Sequence, residues 1–94
     1  VETIFFNLGK SKIELISSLS KENAISKYLS KKSEGIHHIC IEVDNIESEI
    51  KRIINNGIRV LNDKPKIGAD NKKICFLHPK DTCGVLIELS QEIS

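Results

Sequence analysis

The sequence predicts an α+β chain. A strand-helix-strand-strand-strand module occupies residues 36–94, and before it comes a hairpin that repeats the plan of the module's own last two strands. Three observations carry this prediction. Runs rich in Ile, Val and Phe alternate with turn residues along the chain. One segment, Ile46 to Ile54, instead repeats its isoleucines at helical spacing. Finally, FFNLGKSKIEL (Phe5 to Leu15) has the layout of CFLHPKDTCGVLIEL (Cys75 to Leu89): a Phe, a turn with Lys and Gly, then Ile-Glu-Leu.

Val1 to Leu8 and Lys12 to Ile16, joined through Gly9-Lys10-Ser11, read as a β-hairpin. Between Ser18 and Ser33, Ala24, Ile25, Tyr28 and Leu29 share one helical face, with Ser20 as the expected N-cap and Lys31-Lys32 suited to the C-terminal dipole. Ile36 to Val43 is the next strand. Its two histidines are expected on opposite faces, since side chains alternate along a strand: His38 with Cys40 and Glu42, His37 with Ile39, Ile41 and Val43. Asp44 and Glu47 form a capping-box pattern that starts a helix. In that helix Ile46, Ile50, Ile53 and Ile54 face the core, and Gly57 stops it. Ile58 to Leu61 is expected as a strand, Asn62 to Lys72 as a polar loop, and Lys73 to Leu77 with Val85 to Leu89 as the closing hairpin.

The 94 residues suffice for one modest core. With 14 Lys and Arg against 13 Asp and Glu, interspersed and without aromatic interleaving, the chain lacks the footprint of a nucleic-acid or anionic-membrane binder. No apolar run approaches the roughly 20 residues of a membrane span, and no presequence stands at the start, so the chain reads as soluble and intracellular. Cys40, Cys75 and Cys83 are odd in number and form no CxxC pair, which suits small core residues in a reducing compartment. The chain has no Met and opens inside VETIFF, so residues are expected to precede Val1.

Glu14 and Glu88 each stand between Ile and Leu in a strand. A solvated sheet face would place a Glu there by simple alternation. Glu88, however, lies in Val-Leu-Ile-Glu-Leu with apolar neighbours on both sides, and a carboxylate in such surroundings needs a cavity, partner or ligand. His38 is open to two readings, a hydrogen-bonded structural histidine or one member of a divalent metal site with carboxylates on other strands.

The element order, the repeated hairpins and the segments GIHHICIEVDNI, KIGA (Lys66 to Ala69), FLHPKDTCGVLIEL and FNLGKSKIELISSLS together resemble the methylmalonyl-CoA epimerase family. That family lies within the vicinal oxygen chelate (glyoxalase/bleomycin resistance/dioxygenase) superfamily. The resemblance implies one domain built of two βαβββ modules in a cup-shaped mixed sheet. Residues 1–17 would end the first module, 18–35 would be a linker helix and 36–94 the complete second module. It also implies a divalent metal (Co²⁺ first, with Mn²⁺, Mg²⁺ or Zn²⁺ as alternatives) held by His38, Glu88 and Glu14, with Glu88 and Glu14 as the catalytic carboxylates. The implied activity is interconversion of (R)- and (S)-methylmalonyl-CoA in propionyl-CoA metabolism. An α-proton would leave and return through a metal-stabilised enolate. The implied partners are an acyl-CoA substrate and a second copy in a homodimer, in the cytoplasm of a bacterium or the mitochondrial matrix of a eukaryote. Members of the family begin with a strand carrying a further histidine ligand, followed by a helix and a strand bearing a glutamate base, and this chain shows none of these. A glyoxalase-type lyase or isomerase, and a non-catalytic remnant, stand as alternatives.

Overall fold

In the computed structural model, which describes residues 1–93, the chain divides into two compact units, Val1–Gly35 and the segment from Ile36 onward. Ser94, the last residue of the expected second module, lies outside the described residues.

The first unit opens with an antiparallel ribbon of β1 (Glu2–Leu8) and β2 (Ser11–Ser17), in the register that sets Phe5 opposite Glu14. Ile4, Phe6, Leu8, Ile13 and Leu15 share one face of this ribbon, and all are exposed. Helix α1 (Ala24–Lys32) follows, with Lys31 and Lys32 in its last turn as expected. Its cap is Asn23 rather than Ser20: Asn23 Oδ1 accepts from Ser26 N at 2.9 Å. The Ser20 hydroxyl is engaged one step earlier, accepting from Glu22 N in a local turn that competes with helix initiation.

The second unit holds a four-stranded sheet in the order β3-β6-β5-β4, with β3 (His38–Glu42) parallel to β6 (Leu86–Glu92) and the other pairs antiparallel. Helix α2 (Ile46–Asn55) covers one face. Ile46 and Ile50 pack there against Cys75, Leu77 and Leu89, ringed by Val43, Ile53, Ile58, Val60 and Ile87. Ile54, expected in the core, is exposed instead.

Asn45, not Asp44, caps α2, its Oδ1 accepting from Ser48 N at 3.0 Å. Val43 N donates to Ser90 O at 2.8 Å and holds the chain extended to that point, so Asp44 serves as a turn residue and the helix begins one residue later than expected. Ile46 N, which has no acceptor within the helix, donates to Gln91 Oε1 at 2.8 Å and pins the helix start to β6. Lys73 Nζ adds a 3.0 Å ion pair with Glu47. At the other end Gly57 takes φ +86°, Gly57 N donates to Ile54 O and Ile58 N to Ile53 O. This is a Schellman stop, with Ile58 and Ile53 both joining the core.

The expected strand at Ile58 to Leu61 reduces to a single bridge, Val60 to Leu77, flanked by bonds from Leu61 N to Phe76 O and from His78 N to Arg59 O. Its register runs past Leu77, where β5 (Lys72–Leu77) ends, into the 3-10 turn Pro79–Asp81, so no longer ladder forms; the supposed loop beyond it pairs farther back along β5. Lys66–Gly68 forms β4 against Lys72–Ile74 of β5, joined by a 3-10 turn over Ala69–Asn71. The outer edge of β5 is therefore divided between two short partners, and the βαβββ order survives with its second strand later than expected. Gly68 makes a close approach at that crossing: a Cβ there would stand 2.9 Å from Ile74 Cδ1, so a larger residue needs the Ile74 side chain to shift. Arg59 clips the segment to the turn before β6, its N, Nε and Nη2 donating to Asp81 at 2.8–3.0 Å. That contact holds the Asp81 carboxyl well below the usual carboxylate range and raises Arg59.

Candidate active site

The sheet face turned away from α2 collects the chemistry of the second unit. Neighbours across paired strands share a face. The register sets Glu88 of β6 between Cys40 of β3 and Phe76 of β5, with Ser90 two residues along. His38, one pair up on β3, reaches across to Glu88: His38 Nε2 lies 3.6 Å from Glu88 Oε1, and the two side chains are 24% and 18% exposed. That separation is too long for a direct hydrogen bond. Two ligands each about 2.1 Å from one ion at a tetrahedral angle would stand about 3.5 Å apart, so an imidazole and a carboxylate so placed suit a shared divalent cation. His38 and Glu88 thus meet although 50 residues separate them, because β3 and β6 pair in parallel.

Glu14 lies in the first unit, exposed on β2 and directly opposite Phe5. Glu88 has the same relation to Phe76. The repeat read from the sequence is therefore a repeat of register: in both hairpins the Glu of Ile-Glu-Leu faces a Phe across an antiparallel pair. Among the described residues no three His, Cys, Asp or Glu side chains converge on one point, so His38 and Glu88 form a pair rather than a complete ligand set.

The expected opposition of His37 and His38 does not hold. β3 begins at His38, so His37 lies before the strand and is free of its alternation. The His37 ring turns edge-on to that of His38, with centroids 5.1 Å apart, planes at 85° and the two Nδ1 atoms 2.9 Å from each other. Burial, and secondarily the charge of His38, lower the His37 pKa below the ordinary histidine value. Cys75 is buried in the core as expected, but Cys40 and Cys83 are exposed, which corrects their reading as core residues. The Cys40 thiol is pushed up by desolvation and then by the Glu88 charge, while a hydrogen bond from Ser90 acts the other way. The place of Cys40 beside Glu88 could not be read from the sequence, because parallel register has no local signature. The contact of His37 with His38 was legible only in their adjacency.

A model of the glyoxalase/bleomycin resistance protein/dioxygenase superfamily matches residues 1–76. The chain belongs to that superfamily. A protein of Cereibacter sphaeroides named ethylmalonyl-CoA/methylmalonyl-CoA epimerase is 46% identical over 93 residues, covering 97% of this chain and 69% of its own length. The mitochondrial methylmalonyl-CoA epimerase of Mus musculus is 48% identical over 92 residues, 97% of this chain and 52% of that protein. The chain thus spans about half the length of the curated mitochondrial relatives it matches. Among solved structures, a Streptomyces coelicolor methylmalonyl-CoA epimerase variant in complex with 2-nitronate-propionyl-CoA superposes with a TM-score of 0.79 at 33% identity, over 98% of this chain and 67% of that one. The α+β architecture expected from the sequence is the fold of these superfamily members. No helix among the described residues is long and apolar enough to cross a membrane.

Proposed function

We propose that this chain is the metal-binding part of an enzyme that interconverts (R)- and (S)-methylmalonyl-CoA in propionyl-CoA metabolism. The observation that carries the reading is the meeting of His38 and Glu88 on the open sheet face of a chain whose relatives are named for that substrate. In this reading His38, Glu88 and Glu14 hold a divalent cation, Co²⁺ foremost. Glu14 enters through its equivalence to Glu88 opposite a Phe. When bound, the cation supplies Lewis-acid neutralisation of the negative charge that develops as the α-proton leaves. The chain's own carboxylates, Glu88 and Glu14, are the candidates that take and return that proton. Phe76 and the partly buried flank of Glu88 limit water around the carboxylate, which strengthens its interactions with a bound cation or proton. The protein acts as a homodimer, a reading supported by the exposed apolar faces of the β1–β2 ribbon and of Ile39 and Ile41 on the β3 edge.

The test is exchange of the α-proton of methylmalonyl-CoA in D₂O, followed by NMR with the full-length protein and added Co²⁺. Exchange that disappears in His38→Ala supports the reading; no exchange by the full-length protein overturns it.

A further inference from the structure

We propose that His37 is a positioning residue for His38, accepting the proton of His38 Nδ1 so that the lone pair of His38 Nε2 is the one presented toward Glu88. The inference rests on the metal-binding reading above and deepens it. The two Nδ1 atoms are 2.9 Å apart, a hydrogen-bond distance, while His38 Nε2 points to Glu88 Oε1 at 3.6 Å.

Two ring nitrogens in that contact can hold only one proton between them if the bond is to form, because one must donate and the other accept. A His38 that gives its Nε2 lone pair to a cation carries its proton on Nδ1. The only arrangement that keeps the 2.9 Å contact is then donation from His38 Nδ1 to the Nδ1 lone pair of His37, with the His37 proton on Nε2. The edge-on ring geometry, with planes at 85°, fixes the plane of the His38 imidazole and so the direction of Nε2. Histidine ligands commonly give their other ring N–H to a carboxylate, a carbonyl or water. Here a second histidine takes that place, and it can do so because the strand begins at His38, leaving His37 outside the pleat. In this arrangement His37 touches neither substrate nor cation.

The experiment uses the uniformly ¹⁵N-labelled full chain, titrated with Zn²⁺ as a diamagnetic probe. Long-range ¹H–¹⁵N correlation reads the protonated nitrogen of each ring, and calorimetry with Co²⁺ reads affinity. In the Zn²⁺-loaded wild-type chain the expected signature is a proton on His38 Nδ1, a metal-shifted His38 Nε2 and an unprotonated His37 Nδ1. His37→Leu should lower Co²⁺ affinity by about 10–100-fold. His37→Asn, which keeps an acceptor near the Nδ1 position, should restore most of it. A His38 coordinated through Nδ1, or a protonated His37 Nδ1, in the wild-type spectrum overturns the proposal even if His37→Leu does not fold. Unchanged affinity in His37→Leu, with affinity lost in His38→Ala, overturns this proposal alone. Equal affinity in His38→Ala and wild type overturns the metal-binding reading and this inference with it.

Discussion

The hairpins β1–β2 and β5–β6 carry the same plan, down to a Glu facing a Phe, yet they lie in opposite surroundings. Leu89, after Glu88, is 4% exposed beneath α2; Leu15, after Glu14, is 52% exposed. Their opposite neighbours differ likewise, Cys75 being fully buried and Ile4 exposed. Local sequence is thus enough to specify a hairpin and its register. Burial, and with it the stability of the hairpin and the polarity around its carboxylate, comes from what packs on it. A two-stranded ribbon is marginal in water without such cover. In the second unit α2 provides it, pinned to β6 through Gln91 and to β5 through Lys73.

The largest expected effects separate the two carboxylates. Glu88→Gln and Glu14→Gln are each expected to slow α-proton exchange in the full-length protein by roughly 10²–10⁴-fold. Full activity in Glu14→Gln beside loss in Glu88→Gln would confine the chemistry to the second hairpin and break the functional equivalence. The next test is of stability. Leu89→Ala should cost about 2–5 kcal/mol in chemical denaturation, the range for emptying a packed core site, whereas Leu15→Ala should cost a single copy of the chain, at concentrations too low for association, less than about 1 kcal/mol. Equal losses would show that the first hairpin is covered as fully as the second.

Gln91→Ala should destabilise by about 1 kcal/mol, since it leaves the Ile46 amide without its acceptor. Amide exchange at the start of α2 should quicken while exchange in β1 and β2 stays unchanged. The smallest effect is electrostatic. The Asp81 carboxyl is depressed in the folded chain by Arg59, so its contribution is present above the unfolded carboxylate pKa of about 3.9. It fades as pH falls below that value toward the folded pKa. Asp81→Asn should flatten this acid limb of the stability curve and leave stability above pH 5 changed only slightly, because the pair is solvent-screened. An unchanged acid limb would remove the Arg59 clip as a source of pH dependence.

Much of the second unit was legible because its signals are local. The isoleucine spacing marked α2, Gly57 its end, and the Phe and Ile-Glu-Leu runs both hairpins. The misreadings arose where two local signals competed and a long-range contact chose between them. Asp44 and Asn45 are both good caps, and the bond from Val43 to Ser90 decided for Asn45. Ile58 to Leu61 has strand composition, but its register runs onto residues 76–79, where β5 ends at Leu77 and the 3-10 turn Pro79–Asp81 begins. His37 looked like a strand residue and lies outside the strand.

By itself the sequence determined most of the element types, the superfamily resemblance and the residue kinds able to hold a cation, since these depend on spacing along the chain. Only the tertiary structure decided that His38 and Glu88 stand 3.6 Å apart, that Cys40 and Phe76 flank the carboxylate, and that His37 rests on the ring of His38. The physical reason is the parallel pairing of β3 with β6, which joins residues 50 positions apart. Such pairing is made by backbone bonds between strands far apart in the chain, and no short stretch of sequence carries that information.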